Sequence, residues 1–242
     1  MSNLGKVASN PAPDSPAAQN VPVYADSGAM THSRFYVPFG KRLFDFFLSL
    51  LATLLLAPIL VIIAGLVKLS SPGPVFFRQI RVGKDGKWFR ILKFRSMVDG
   101  AEWMGLGITS GDDPRITRLG AHLRRWKLDE LPQLWNVLKG EMSFVGPRPE
   151  LPVYVARYSD EQKEVLRVRP GITDPASIQY RHEETLLEGS SGPEELYLEK
   201  ILPHKIALNL AYLKEISFVN DLSLMLSTVK SIVSFSVSHG TR

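Results

Sequence analysis

Two adjacent carboxylates, Asp129 and Glu130, open the run LDELPQLWNVLKG. Leu131, Leu134, Trp135 and Leu138 recur at i, i+3, i+4 and i+7, and the run ends at Gly140, so the spacing predicts a short helix with one apolar face. Pro132 is tolerated only within the first turn, where its missing N–H breaks no ladder bond; this puts Asp129 and Glu130 at the helix start. There the N-terminal dipole is expected to lower both pKa values, holding the pair ionised for metal ligation or nucleophilic attack. An N-cap Asp with a favourable Glu beside it explains the same pair without any chemistry. Cations surround it in the sequence: KFR at Lys93 to Arg95, then Arg124 and Arg125, then GPRP, in which Pro147 and Pro149 fix the φ angles on either side of Arg148. That restriction would hold the Arg148 guanidinium toward a phosphate or a base, whereas a surface Arg in a proline turn is the alternative.

The elements that must position these groups begin with an uneven charge map. The chain has 242 residues with 29 Lys and Arg, 24 Asp and Glu, five His and no Cys. That suits one ordinary-sized domain with appendages. The lack of Cys excludes a disulfide framework and any thiolate metal site, and the scattered His argue against zinc. From Lys68 to Gly140 there are 14 basic and 7 acidic residues, a local excess that attracts phosphates or anionic head groups. Residues 1–33, with Pro11, Pro13, Pro16 and Pro22 among Ala, Ser and Asn, have too little apolar surface to offset ordering and are expected to be disordered. No apolar h-region follows the first Lys, so this tail does not read as a signal peptide.

Phe46 to Val67 is a chargeless run of 22 residues, roughly 33 Å long as a helix against ~30 Å of hydrocarbon. It reads as a membrane segment. Arg34, Lys41 and Arg42 precede it and Lys68, Arg78 and Arg81 follow, so positive charge marks both flanks as cytoplasmic. A break at Pro58, which obstructs the Leu54 carbonyl, would return both ends to one face; a single kinked span is the alternative. Two strand-like runs around Asp85-Gly86 predict a basic hairpin. Glycines between Ala101 and Gly111 suggest a loop, and Leu119, Leu123 and Trp126 a short helix with a core-facing stripe. Near the end, Leu208 to Ile216 and Leu222 to Val237 read as interfacial amphipathic helices, with core helices as the other option.

The run KLDELPQLWNVLKGEMSFVGPRPE, with DDPRITRLG before it, KRLFDF upstream and RVRPGIT after it, closely resembles the bacterial sugar transferases called monotopic phosphoglycosyltransferases, from about Lys41 to about Val219. The resemblance implies transfer of a sugar 1-phosphate from a UDP-sugar to a polyprenyl phosphate such as undecaprenyl phosphate, with release of UMP. It implies that Asp129 attacks the sugar-bearing phosphorus, that Mg2+ screens the diphosphate, and that Glu130 is a candidate metal ligand alongside Asp129, with proton handling as the rival role. It places Arg148, between Pro147 and Pro149, at the donor, and Lys93 and Arg124 at phosphates. Arg169 could reach the acceptor phosphate, and Arg181 is retained in a segment that otherwise departs from the family. Arg95 and Arg125 read as solvated or lipid-facing. Asp113, Arg115 and Thr117 match a motif that an Asp-to-Arg bond in an Asp-Pro turn explains equally well, and Gly171 after Pro170 suits a type II turn. Two departures stand out. Ala57-Pro58 replaces the usual Ser-Pro, leaving Thr53 to compensate a freed carbonyl, and DPASIQYRHEE (174–184) replaces the common GWAQVNGRN pattern, so sugar identity does not carry over.

The expectation is therefore a helix-rich α+β domain with a β-hairpin: a disordered tail over 1–33, a re-entrant membrane helix over 34–71 broken at Pro58, and a cytoplasmic catalytic domain over 72–242 on the bacterial inner membrane. Its partners would be a UDP-sugar, undecaprenyl phosphate and the bilayer, with no nucleic acid and with homo-oligomerisation open. A glycosyltransferase releasing UDP is the nearest rival enzyme, and a non-catalytic, membrane-tethered anion-binding module in a glycan-assembly complex is the rival from another class.

Overall fold

The computed structural model describes residues 36–104, 113–181, 183–187 and 192–238; the expected tail and most of the expected loop before Gly111 lie outside them. Within these residues the chain is helix-rich α+β. A long helix α1 (Lys41–Ser70) leads into an antiparallel hairpin, β1 (Phe76–Val82) and β2 (Trp88–Phe94). Then follow α2 (Arg118–Arg125), α3 (Gln133–Lys139), β3 (Ser143–Val145), α4 (Pro152–Val155), α5 (Asp160–Lys163), β4 (Gly171–Thr173), α6 (Pro175–Gln179), α7 (Glu183–Leu187), α8 (Pro193–Leu196), α9 (Leu202–Lys214) and α10 (Phe218–Ser238). The hairpin falls where its turn signal placed it, with Val82 opposite Trp88 and left-handed backbone at Asp85 and Gly86.

The second sheet, β3 pairing in parallel with β4, had no sequence signal. It brings Gly146 and Gly171 so close that a Cβ on Gly171 would lie 2.2 Å from the Gly146 nitrogen. Gly171 is therefore required by backbone contact, not by a type II turn, since its φ is not positive.

Helix α1 is long and apolar enough to cross a membrane, and its middle, including Leu51, Leu54, Leu55, Val61 and Ile62, is exposed. Its helical backbone continues through Pro58, so the expected division into two helices is corrected. With no water in hydrocarbon to take up freed groups, retaining the remaining ladder bonds is the favourable course. Thr53 does not compensate at Leu54; its hydroxyl donates to the Ser49 carbonyl at 2.7 Å.

Both ends of α1 dock on the same body. Near its start, Arg42 donates to the Val137 and Leu138 carbonyls at 2.6 and 2.7 Å, capping α3, and Asp45 accepts the Phe144 N–H at 3.1 Å. Lys41 pairs with the buried Asp221 of α10, which also accepts from the hydroxyls of Tyr36 and Tyr212 at 2.7 and 2.6 Å. Near its end, Ile63 and Val67 pack with Phe94 and Leu123. Arg95, expected to be solvated or lipid-facing, is 5% exposed and donates to the Ser71 carbonyl at 2.7 Å, closing the helix C-terminus.

Two helical faces differ from expectation. In α3 the buried residues are Gln133, Leu134, Asn136 and Val137, while Trp135 is exposed. The cause is β2, whose second edge needs partners: Asn136 accepts the Leu92 N–H at 3.0 Å and donates to the Arg90 carbonyl at 2.8 Å. Trp126, expected in the α2 stripe, is likewise exposed, and Leu123 carries the burial. Of the two C-terminal segments, α9 starts earlier than expected and is a core helix, burying Leu202, Ile206, Tyr212 and Leu213. Helix α10 keeps an exposed apolar stripe of Val219, Leu222, Leu226 and Val229.

Candidate active site

Asp129 and Glu130 sit in a 3-10 turn, Leu128–Glu130, entered through left-handed backbone at Lys127 and separated from α3 by Leu131 and Pro132. They are 4% and 8% exposed. Lys93 reaches them from β2: alternation along the strand turns its side chain toward the turn, and Nζ donates to Glu130 Oε1 at 2.9 Å. Arg148 closes the other side, donating through Nη1 to Glu130 Oε2 at 3.2 Å and through Nη2 to Oε1. Both Glu130 oxygens are thus hydrogen-bonded by cations. Asp129 Oδ1 is buried with no hydrogen-bond partner among the described residues.

The electrostatics correct the dipole expectation. Burial raises the Glu130 pKa, but Arg148 and Lys93 outweigh it and hold the carboxyl well below its usual range. Asp129 goes the other way: burial raises its pKa, the Glu130 charge adds to that, and Lys93 offsets only part. The dipole loses because the pair lies in a separate turn outside α3, where desolvation is the larger effect. Burial also pushes Lys93 down from the usual lysine value, with Glu130 opposing, and Glu130 holds Arg148 above the usual arginine value.

The GPRP loop is pinned by its neighbours. Asp174, fully buried, accepts the Arg148 N–H at 3.2 Å, the Ser177 N–H at 2.6 Å and the Asn209 amide at 2.7 Å. Arg148 Nη1 also donates to the Ile172 carbonyl at 3.3 Å. Arg81 donates to the Pro149 carbonyl at 3.1 Å and pairs with Glu150 at 3.6 Å, and Glu150 accepts from the Tyr197 hydroxyl at 2.5 Å.

A cavity of about 1600 Å³ opens beside the pair, lined by Lys93, Arg124, Asp129, Glu130, Arg148 and Arg181, the expected site residues that the fold does bring together. Ala52 and Leu56 of α1 border the same space. Pro147 and Pro149 do not line it; they act through the backbone, the Pro147 carbonyl accepting the Gly171 N–H at 3.0 Å. Arg169, expected near an acceptor phosphate, lies off the cavity, and its Nε donates to the Gly140 carbonyl at 2.8 Å at the end of α3. Arg124 borders the cavity and ion-pairs with Glu184 of α7. Asp113 and Arg115 bond to one another, and Thr117 caps α2 by accepting the Gly120 N–H at 2.9 Å, the structural reading of that motif. Sequence reasoning missed Arg81 and Asp174. Alternation with Gln79 on β1 points to Arg81, and an Asp before Pro175 at a helix start is a cap signal for Asp174.

The carboxylates fit a divalent cation. Asp129 offers an unpartnered buried oxygen, and Mg2+ characteristically takes one or two carboxylates and completes its shell with substrate phosphates and water. No group of three or more acidic, His or Cys side chains able to hold a metal occurs among the described residues, so such an ion would depend on the substrate for ligands.

Residues 36–235 match the family described as bacterial sugar transferase. The chain is 41% identical over 206 residues to an exopolysaccharide production protein, PSS, of Rhizobium leguminosarum bv. phaseoli, covering 79% of this chain and 94% of that one. It is 35% identical over 241 residues to a UDP-glucose:undecaprenyl-phosphate glucose-1-phosphate transferase of Caulobacter vibrioides, covering 95% and 82%. It is 40% identical over 205 residues to an undecaprenyl-phosphate glucose phosphotransferase of Komagataeibacter xylinus; the match takes in 78% of this chain but about a third, 35%, of that longer relative. A family match that runs from Tyr36 into α10, together with relatives alike over most of both chains, makes this chain a member of the bacterial sugar transferase family.

Proposed function

We propose that the protein transfers a sugar 1-phosphate from a UDP-sugar to undecaprenyl phosphate, releasing UMP, through a phosphoaspartyl sugar on Asp129. The observation that carries this reading is the unpartnered, buried carboxylate oxygen of Asp129, a residue that lines a basic cavity. An oxygen that no donor ties down keeps its electron pair for attack, and Lys93 and Arg148 flank the place where the donor's phosphates would lie.

In the first step an Asp129 oxygen bonds to the sugar-bearing phosphorus, the bond from that phosphorus to the bridging oxygen breaks, and UMP leaves with that oxygen. In the second, an oxygen of the acceptor phosphate bonds to the same phosphorus and the Asp129 carboxylate leaves with its electron pair. Lys93 and Arg148, already close to Glu130, supply fixed positive charge for the phosphoryl oxygens without reorganising, and Glu130 holds both in place. The Asp129 oxygen that does not attack would hold Mg2+ together with the donor's phosphates and water, since both Glu130 oxygens are already bonded to cations; when bound, the ion would screen the diphosphate and stabilise the leaving phosphate.

Both ends of α1 rest on one body, with the apolar middle outside it, which supports an anchor that bends at Pro58 while staying helical and so returns to one leaflet. The charge on both flanks supports a cavity on the cytoplasmic face of the inner membrane. The apolar stripe of α10 would lie along the same surface. Relatives that act on undecaprenyl phosphate make a lipid-borne acceptor at that face the natural partner.

The test is to incubate the detergent-solubilised full chain with UDP-sugars and no acceptor, quench in acid and map the mass. The expected outcome is one sugar-phosphate adduct on Asp129 with an equivalent of UMP. Release of UDP, or full product formation with no adduct ever trapped, overturns the proposal.

A further inference from the structure

One wall of the cavity is unlike the rest. Thr173 of β4, Ser177 of α6, Arg181, and Thr228 and Ser231 of α10 all line it. On this wall Arg181 is the one cation among the described cavity-lining residues, whereas Lys93, Arg81 and Arg148 gather at the carboxylate end. The side chains are linked pairwise: the Thr173 and Thr228 hydroxyls lie 2.5 Å apart, and Arg181 Nη1 donates to the Ser231 hydroxyl at 2.7 Å.

The hydrogen-bonding account is incomplete in a telling way. Thr228 gives its proton to the Leu224 carbonyl at 2.8 Å, so Thr173 must donate to Thr228 and keeps an acceptor lone pair. Ser231 accepts from Arg181 and has no acceptor for its own proton among the described residues. Ser177 Oγ is buried with no partner among the described residues. The wall thus keeps spare acceptors at Thr173 and Thr228 and spare donors at Ser231 and Ser177, and a ring of sugar hydroxyls, which both donates and accepts, is a ligand that suits that set.

Position agrees with chemistry. Arg148 bonds to the Ile172 carbonyl, one residue before Thr173, so the wall begins where the arginine assigned to the donor phosphate ends. A sugar is joined to that phosphate by a single oxygen and cannot lie far from it. Ser177 and Arg181 also fall inside 174–184, the stretch where this chain departs from the common family pattern.

We propose that Ser177, Arg181, Thr228 and Ser231 form the subsite that reads the hydroxyl pattern of the donor sugar. This rests on the reading of the protein as a UDP-sugar phosphotransferase. The outer side of α10 would face lipid while its inner side selects the sugar.

The experiment measures kcat/KM for a panel of UDP-hexoses and UDP-N-acetylhexosamines that includes C4 epimer pairs, and the KM for undecaprenyl phosphate, in wild type, Ser177→Ala, Ser231→Ala, their double variant and Thr228→Val. The expected result is a change of about tenfold in the ratio between the preferred sugar and its epimer in the double variant, because a site built to bond a hydroxyl discriminates strongly by it. The KM for undecaprenyl phosphate stays within about twofold, since these groups meet the sugar and not the acceptor. Thr228→Val is nearly isosteric and guards against misfolding, and Thr228→Ser, which restores the hydroxyl, is expected to restore the wild-type ranking. An unchanged ranking in every variant, an equal fall for every sugar, or a rise confined to the acceptor KM overturns the inference. If wild type turns over no UDP-sugar, it is the phosphotransferase reading that fails instead.

Discussion

The two sides of the Asp129–Glu130 turn differ more than their sequence adjacency suggests. On the Glu130 side, two cations bond both carboxylate oxygens and hold the group ionised. On the Asp129 side there is burial, a negative neighbour and an oxygen with no partner. On the proposed mechanism, the contrast lets one basic cluster serve a nucleophile without neutralising it. Lys93 and Arg148 are tied to Glu130, so they remain near the reacting centre without forming an ion pair with Asp129 that would blunt it.

The largest break in that contrast is Asp129→Asn. Turnover should fall by at least on the order of 10⁴-fold, as for removal of other covalent nucleophiles, with donor binding retained; product assay and donor titration check this. The same variant should melt at a higher temperature near neutral pH. A carboxyl with a raised folded-state pKa contributes stability below its unfolded pKa and loses it as pH rises through the folded one, so ionised Asp129 is a liability to the fold.

Glu130→Gln attacks the other side. It leaves two half-buried cations without their shared carboxylate and should cost about 2 kcal/mol, seen as a lowered unfolding midpoint in detergent. Its sign with pH is opposite: Glu130 contributes stability above its unfolded pKa, lost as pH falls through the depressed folded value.

The pH profile sharpens the comparison directly. Because Asp129 must be ionised to attack, the acid limb of the first half-reaction should lie above the ordinary carboxylate range in wild type. In Glu130→Gln it should move to lower pH, since the negative neighbour is gone and Lys93 and Arg148 remain. A smaller effect is expected from Arg148→Lys, which keeps the charge but loses the fork that holds both Glu130 oxygens. The kcat/KM for the donor should fall roughly tenfold, with the acid limb almost unmoved.

How much of this was legible in the sequence depends on whether the controlling interaction is local. The 85–86 turn, the Gly140 cap and the chargeless run each follow from nearby residues, and each appears where expected. Asp129, Glu130, Lys93 and Arg148 were named, and the fold does assemble them around one cavity. What failed was non-local. The tilt of α3 is set by an Asn136 bond to a strand 44 residues away. The roles of Arg95 and Arg169 are set by helix ends they meet only in three dimensions, and the Asp129 pKa by burial that no single motif encodes. The parallel pairing of β3 and β4 is too short to leave a periodic trace.

The knot around Asp221 carries a consequence for how the chain comes into being. Lys41 is made 180 residues before its Asp221 partner. At bacterial elongation rates that interval is on the order of ten seconds, during which Asp45, one helical turn on, is the carboxylate near it. On the proposed anchor, the start of α1 is tied to α10 only once residue 221 has been made. Nascent chains halted before residue 221 should therefore be extracted from membranes by alkaline carbonate far more readily than finished ones.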